Sequence, residues 1–212
     1  MPSIRSAPSA VRTTCTAVGH DGRMAPTRTF VAIALPTEVR RAIAEIASHG
    51  RRSGPPGLRW ADPAQAHLTL AFLGDLDAAA LERVRERVRR FARAHVPVAC
   101  SLLGAGAFPR AAAARVLWLG WGDGADAVTA LHAALRVALE TEGIELEARR
   151  FHPHVTLALT RAPLDLRDLV EHRSTWRSEP WTATALDVRA SRLTPGGAEH
   201  VRVERCPLGA GR

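Results

Sequence analysis

The stretches His67-Leu68-Thr69-Leu70 and His154-Val155-Thr156-Leu157 repeat one pattern, His-x-Thr-Leu, 87 positions apart. Each copy lies in a short apolar run typical of a β-strand, QAHLTLAFLG in the first case and PHVTLALT in the second. Alternate side chains of a strand point to one face, so each histidine shares a face with its threonine. Leu68, Leu70 and Phe72 are then predicted to point to the opposite, buried face.

Chance does not readily explain two copies of this pattern. From the residue frequencies of the chain we expect roughly 0.07 occurrences of His-x-Thr-Leu, and a probability of about 0.002 for two. A single copy is more often the solvated face of an amphipathic strand than a site. Two copies at matching places in the two halves favour a pair of equivalent functional strands.

Hydrophobic periodicity predicts the same order of elements in both halves: strand, helix, His-x-Thr strand, helix, strand. The first half reads as a strand in TRTFVAIALP, a helix over 37–49 capped by Thr37, the His-x-Thr strand closed by Gly74, a helix capped by Asp77, and a strand in VPVACSLLGAGAFP. The second half reads as RVLWLGW, a helix over 126–142, a strand near IELEAR, the second His-x-Thr strand, a helix over 166–172, and strands in TATALDVRAS and VRVERCPL.

This duplication predicts an α+β fold of two lobes, with two largely antiparallel sheets flanked by helices around a central cleft. A pseudo-twofold axis would bring the two His-x-Thr strands face to face across that cleft. We expect one bilobal domain over 24–212, with halves at roughly 28–110 and 114–208 that exchange strands. Residues 1–23 lack the apolar core of a secretory signal and are predicted to be a disordered tail, with Met24 as a candidate translation start.

Composition indicates a globular protein with a basic surface. The chain carries a formal net charge of +8, and all 29 basic residues are arginine, so a polyanionic partner is expected. No apolar run approaches the length of a membrane span. The three cysteines form no CxxC pair, which favours reduced thiols in the cytoplasm and argues against a structural zinc site. We expect a monomer.

The chemistry of the repeat follows from its residue types. Imidazole titrates near pH 6.5, so of two histidines one can act as general base and the other as general acid at the same pH. Threonine hydroxyls beside them can donate hydrogen bonds to an anionic group as charge builds. The sequence therefore predicts acid/base chemistry on a phosphate ester, without a metal or another cofactor.

The ordered motifs carry a resemblance to a known family. FVAIALP, LRW followed by AHLTLAFLGD, GAFP followed by VLWLGW, FHPHVTL and SRLTPGGAEHVRVE together resemble the RNA 2′,3′-cyclic phosphodiesterases. These enzymes were first described as 2′-5′ RNA ligases and belong to the two-histidine phosphoesterase superfamily. The resemblance runs from about Phe30 to Leu208 and implies metal-independent hydrolysis of an RNA 2′,3′-cyclic phosphate to a 2′-phosphate.

Carried over residue by residue, the resemblance implies that His67 and His154 are catalytic and that Thr69 and Thr156 bind the phosphate. We assign His67 as general acid to the departing 3′ oxygen and His154 as general base to water, although sequence symmetry leaves the reverse order open. Ligation of 2′-5′ ends would be a minor reverse reaction. The expected partner is an RNA end, tRNA fragments included.

The chain departs from the family pattern at two places. Many relatives carry a basic residue where this chain has Leu159, and Arg161, two positions on, is the candidate substitute. The aromatic residue that often follows the glycine pair near the C-terminus is missing, and Ala198, Glu199 and His200 stand there instead. These departures concern contacts to the phosphate and the base more than the chemistry.

Other residues are weaker candidates for substrate binding. His152, two positions before His154, could assist the phosphate, and Arg149, Arg150 and Arg161 could contact backbone phosphates. Phe108 could stack a terminal base, although a core contact is the simpler interpretation. Three tryptophans are expected in the core, and six histidines are expected to be structural or exposed: Trp60, Trp118 and Trp121; His20, His49, His95, His132, His172 and His200.

Two alternatives stay open at this point. One is a phosphodiesterase for a small cyclic nucleotide or an ADP-ribose cyclic phosphate, and the other is an RNA- or nucleotide-binding module without turnover. Steep salt dependence and a preference for oligonucleotides would favour RNA over a small substrate. Intact His and Thr in both copies argue against the binding module, because anion binding alone needs no acid/base pair.

Overall fold

The computed structural model of the protein describes residues 27–148, 150–194 and 197–209. The predicted tail over 1–23 and the candidate start at Met24 lie outside these residues. The strands and helices of the described part, in chain order, are β1 Thr27–Ala34, α1 Thr37–Ser53, β2 Arg59–Trp60, β3 His67–Leu76, α2 Ala78–Arg93, β4 Val98–Cys100, β5 Leu102–Phe108, β6 Ala114–Trp121, α3 Ala125–Glu140, β7 His154–Leu164, α4 Arg167–Glu171, β8 Trp181–Ala183, β9 Ala185–Thr194 and β10 Gly197–Pro207.

The strands form two four-stranded antiparallel sheets and one small pair. The first sheet has the order β10-β9-β1-β3, the second sheet has the order β2-β7-β6-β5, and β4 pairs with β8. Each large sheet mixes strands from both halves of the chain, since β9 and β10 join the first sheet and β2 joins the second. The α+β class with antiparallel sheets and flanking helices is as predicted.

Helices α2 and α3 form where hydrophobic periodicity predicts them. Asp77 caps α2 by accepting a 2.7 Å hydrogen bond from the Ala80 amide. The predicted stripes of α2 and α3 are buried in one core that continues between the two sheets: Val84, Val88 and Phe91 from α2; Val128, Leu131, Leu135 and Ala138 from α3. Amphipathic spacing was therefore enough to orient both helices.

Helix α1 differs from its prediction at both ends. Pro36 precedes the helix, and Thr37 is its first residue rather than its cap. The helix also runs past residue 49 to Ser53. Within this extension Gly50 lies directly against the Trp60 indole, where a Cβ atom would stand 1.9 Å from a ring carbon. Gly50 is thus a packing residue inside the helix.

The prediction of a strand near residues 144–149 is wrong for the described residues 144–148. Ile144 is buried and Leu146 packs against the core, which explains the strand-like apolar alternation. The Arg136 guanidinium donates a 2.7 Å hydrogen bond to the Glu147 carbonyl, so a helix side chain takes a group that a strand would use in a ladder. The alternation of apolar residues therefore reflects the burial of Ile144 and Leu146 and not strand pairing.

Two predicted strands are each divided into two in the structure. VPVACSLLGAGAFP breaks at Ser101, whose hydroxyl donates to the Asp123 carboxylate at 2.7 Å and accepts the Asp123 amide at 2.8 Å. Its parts, β4 and β5, therefore join different sheets. TATALDVRAS breaks at Thr184, whose carbonyl accepts the Leu208 amide instead of a ladder bond.

Both His-x-Thr strands contain a β-bulge at the leucine of the motif. In the first sheet Ala32 pairs with Thr69 and Val31 pairs with Ala71, so Leu70 is an extra residue. In the second sheet Trp118 pairs with Thr156 and Leu117 pairs with Ala158, so Leu157 is the extra one. An extra residue reverses the alternation of the side chains that follow it.

The bulge overturns the prediction for Phe72. This residue pairs with Phe30 on the face of His67 and Thr69, and its side chain is 63 % exposed rather than buried. Leu159 occupies the equivalent place in the second sheet and is 47 % exposed. Strand β3 also continues through Gly74, which has a φ of 69°, to Leu76 rather than ending at the glycine.

Two of the three cysteines lie within the described residues. Cys100 and Cys206 are free and buried, and burial raises the pKa of both thiols to about 11, so they stay protonated. Cys15 lies outside the described residues. Within the described ranges, every helix is too short or too polar to cross a bilayer.

Candidate active site

His67 is the first residue of β3, and its ring is oriented by the preceding turn. The Nδ1 atom lies 2.7 Å from the carbonyl oxygen of Gln65. A carbonyl only accepts hydrogen bonds, so Nδ1 carries the proton and donates it. In the neutral ring Nε2 is then the atom with a free lone pair.

His154 repeats this arrangement at the start of β7. Its Nδ1 atom lies 2.7 Å from the carbonyl oxygen of His152, again two residues upstream. The turn before each motif therefore selects the same imidazole tautomer. Thr69 and Thr156 are half-buried on the same faces as their histidines, as predicted.

The two motifs meet because β3 and β7 approach each other between the sheets. The charge on His154 is felt at His67, where it contributes to a lowered pKa. The duplicated strands thus place two Nε2 lone pairs and two hydroxyls around one cleft. Such an arrangement can deliver a proton on one side of a small anion and remove one on the other.

Burial sets the protonation state of both histidines. Desolvation lowers the pKa of His67 to about 4, the Gln65 carbonyl partly opposes it, and the charges of Arg189, His200 and His154 lower the pKa further. Desolvation also lowers the pKa of His154, against the opposing effect of the His152 carbonyl. The free cleft therefore holds neutral imidazoles at neutral pH, and an entering anion would favour their protonated forms.

Aromatic side chains hold His154 in place. Phe108, the last residue of β5, packs edge to face on His154 with ring centroids 5.1 Å apart, and on His152 at 5.5 Å. Trp118 lies 4.7 Å from His152 and 6.1 Å from His154. Trp118 is thus part of the cleft wall, which corrects its prediction as a core residue. Its indole lies directly against Gly106, where a Cβ atom would be 2.1 Å from the ring.

His200 on β10 is a residue that the sequence prediction missed. Its ring packs edge to face on His67 and on Phe30, with both centroid distances 5.1 Å, and Phe30 stacks on His67 at 4.9 Å. The departure from the aromatic residue of relatives at this place was the available signal. His200 is part of the cleft and not a surface residue.

The bulged leucines need partners for their carbonyl groups, and other elements supply them. His132 on α3 places Nδ1 2.7 Å from the Leu70 carbonyl, and its ring stacks on Phe151 at 3.9 Å. In the second sheet the Ala61 amide donates to the Leu157 carbonyl at 2.8 Å. His132 therefore has a structural role, as predicted, and joins the first motif to the turn before the second.

The candidate arginines occupy different places on the surface. Arg150 is exposed and lines a pocket of about 700 Å³ that His152 and Trp118 share. Arg161 is exposed in the part of β7 after Leu159, where pairing with β6 is irregular. Arg149 lies outside the described residues.

Arg59 on β2 is a further cation that the sequence prediction missed. It pairs directly with Leu159, and opposed residues of an antiparallel pair share a face. Arg59 is exposed. Arg59 therefore shares a strand face with the position where many relatives were expected to carry a basic residue, and it is a second candidate substitute beside Arg161.

These features define a class of protein: a bilobal α+β fold in which two His-x-Thr strands from a duplicated plan face one cleft. The model of the 2′-5′ RNA ligase superfamily matches residues 35–193. The chain belongs to this superfamily.

Relatives and solved structures agree with that assignment. The chain is 30 % identical to an RNA 2′,3′-cyclic phosphodiesterase of Thermotoga maritima over 188 residues, which cover 87 % of this chain and 97 % of the relative. It is 27 % identical to one of Methanothermobacter thermautotrophicus, over 84 % of this chain and 96 % of the relative. The crystal structure of TT0787 of Thermus thermophilus matches with a TM-score of 0.72 and 28 % identity, over 87 % of this chain and all of that one. Escherichia coli LigT complexed with 3′-AMP matches with a TM-score of 0.67 and 28 % identity, over 86 % and 98 %.

Proposed function

We propose that the protein hydrolyses the 2′,3′-cyclic phosphate at an RNA end to a 2′-phosphate. The observation that carries the proposal is the matched pair of histidines, each held by an upstream carbonyl as the same tautomer. A binding module would not need two Nε2 atoms prepared for proton transfer. The names of relatives that match nearly end to end support the same substrate class.

His154 removes a proton from water, whose oxygen attacks phosphorus, and His67 gives a proton to the 3′ oxygen as the P–O bond to it breaks. The products are a 2′-phosphate and a free 3′ hydroxyl, and the two imidazoles end with exchanged protonation states. Hydroxyls of Thr69 and Thr156 donate to the non-bridging oxygens, where negative charge builds. His67 is neutral in the free cleft. The bound anion favours its protonated form, because negative charge raises the pKa of an imidazole.

No metal or other cofactor takes part in this scheme. The two imidazoles supply both proton transfers by themselves. Ligation of 2′-5′ ends would be the minor reverse of the same steps.

The deciding experiment is incubation of the protein with an oligonucleotide that ends in a 2′,3′-cyclic phosphate, in excess chelator. We expect conversion to a 2′-phosphate end, read by phosphatase sensitivity and mass, and no conversion by the His67→Ala, His154→Ala double variant. Retained oligonucleotide binding without conversion by the unaltered protein would instead support the binding module. Conversion that disappears in chelator would exclude the metal-independent scheme.

The substrate contacts outside the motifs are also proposals. Phe108 and His152 line the cleft beside His154 and can contact the base and the phosphate of the terminal nucleotide. Arg150, Arg161 and Arg59 are exposed cations that can contact phosphates of an RNA backbone. Contacts of this kind would favour RNA over a small cyclic nucleotide. We also propose that the protein is cytoplasmic and monomeric. Light scattering at working concentration measures the molar mass and tests the monomer.

Replacing Arg59 by glutamine is expected to weaken oligonucleotide binding and to reduce the slope of log K against log salt by about one unit, since one phosphate contact is lost. The measurement is a salt series of binding isotherms with a product oligonucleotide. Arg41→Gln, which removes an exposed cation from α1, is the matched control and should leave the slope unchanged. Equal slopes for the unaltered protein and Arg59→Gln would mean that Arg59 does not contact an RNA phosphate.

A further inference from the structure

His200 sits where it can act on the same anion as His67. Its backbone amide donates a 2.7 Å hydrogen bond to the side-chain oxygen of Gln65, the residue whose main-chain carbonyl orients His67. Its ring touches both His67 and Phe30. Strand β10 is therefore fastened to the turn that prepares the first motif.

The His200 ring has one nitrogen engaged. Nδ1 lies 2.8 Å from the hydroxyl oxygen of Ser191, its neighbour across the β9–β10 pair. That contact orients the ring and leaves Nε2, on the opposite side, as the atom that can meet a ligand. The side chain is half-buried, so solvent and small anions reach this part of the cleft.

The second lobe contains a matching cluster. There Phe108, His154 and His152 form a group of one phenyl ring and two imidazoles, with Phe108 5.1 Å from His154 and 5.5 Å from His152. In the first lobe Phe30, His67 and His200 form the same kind of group at 4.9 and 5.1 Å. The second imidazole comes from a different part of the chain in each lobe. His152 precedes its motif by two residues, whereas His200 lies on a distant strand.

We propose that His200 is a second phosphate-binding imidazole of the first lobe, which contacts the anion beside His67 and takes up a proton when the anion enters. This inference rests on the proposed function, because it concerns the same cleft. Among the described residues, His67 on β3 touches the His200 ring and Arg189 on β9 acts on it through its charge, and Arg189 itself pairs with buried Asp187 at 3.2 Å. His154 acts on His67 from the opposite strand.

Electrostatics explains why the proton arrives with the ligand. Burial and the Arg189 charge lower the pKa of His200, so its imidazole is neutral in the free cleft at neutral pH. Arg189 is nine-tenths buried, and its cation repels a second positive charge until an anion compensates it. His200 would therefore become protonated only when the phosphate binds.

The test is calorimetry with adenosine 2′-monophosphate at pH 7, in two buffers of different ionisation enthalpy. We expect His200→Phe, which keeps a ring against Phe30 and His67, to bind the nucleotide about ten-fold more weakly and to take up fewer protons than the unaltered protein. His200→Gln should lose the same uptake. His49→Gln, which removes an exposed imidazole from α1, is the matched control and should change neither quantity.

Equal affinity and equal proton uptake in His200→Phe and the unaltered protein would overturn the proposal. If neither His200 variant folds, NMR titration of the histidines in the unaltered protein decides instead: addition of the nucleotide must raise the pKa of His200, and an unmoved pKa overturns the proposal. Binding needs no turnover, so this result is independent of whether the cyclic phosphate is hydrolysed. Turnover without the His200 effect would leave the proposed function standing alone.

Discussion

Replacement of His67 or His154 by alanine is expected to lower kcat for a 2′,3′-cyclic phosphate oligonucleotide by about 10²- to 10⁴-fold, while the fold stays intact. Each variant loses one proton transfer, and general acid or base catalysis contributes a factor of that size. The double variant should lose little more than the worse single one, because the two groups act in one step. Single-turnover assays measure the loss in rate, and circular dichroism shows whether the fold is intact.

Threonine variants and a remote histidine variant provide the controls. Thr69→Val and Thr156→Val should cost less than the histidine changes, since each removes a hydrogen bond and no proton carrier. His49→Ala should leave kcat unchanged, because this exposed residue lies on α1. Near-normal turnover in both single histidine variants would refute the catalytic assignment.

A second substrate separates the acid from the base. An aryl phosphodiester such as bis(p-nitrophenyl) phosphate has a leaving group that needs no proton. The general-acid variant should therefore regain more of its activity on this ester than the general-base variant. With His67 as acid, His67→Ala is the variant that recovers, and recovery of His154→Ala instead would reverse the proposed order.

Substitution of Gly106 by alanine is expected to lower the free energy of unfolding by about 1–3 kcal/mol and to impair catalysis as well. The new Cβ atom would lie 2.1 Å from the Trp118 indole, so the ring must move. The indole also touches Phe108 and His152, with ring centroids 5.1 and 4.7 Å away. Displacement of the indole therefore reaches the cleft.

Urea unfolding and steady-state kinetics measure the two effects of Gly106→Ala. Ala99→Val, which adds volume at an exposed position of β4, is the control and should change the free energy of unfolding by no more than about 0.5 kcal/mol. Unchanged stability in Gly106→Ala would mean that the indole swings aside freely, and Trp118 would then not be a rigid wall of the site.

Local pattern was enough for those elements whose cause is local. The stripe of α2 and its Asp77 cap follow from residues within one helix, and both are present. The strand near 144–149 shows the limit of this reasoning. Its apolar alternation was real, but no strand forms there among the described residues, and the Glu147 carbonyl accepts from a helix side chain. Periodicity reports which side chains are buried and does not report which backbone groups are paired.

By itself, the sequence determined the pair of motifs on which the proposed chemistry rests: two copies of the His-x-Thr-Leu pattern on strands, with matching helices, in a basic chain without lysine. Only the tertiary structure decided what surrounds them. The bulges at Leu70 and Leu157 turned Phe72 and Leu159 to the strand face of the motif histidines, and pairing of distant strands placed Arg59 opposite Leu159 and His200 against His67. Register and strand exchange depend on contacts between residues far apart in the chain, and spacing along one strand carries no record of them.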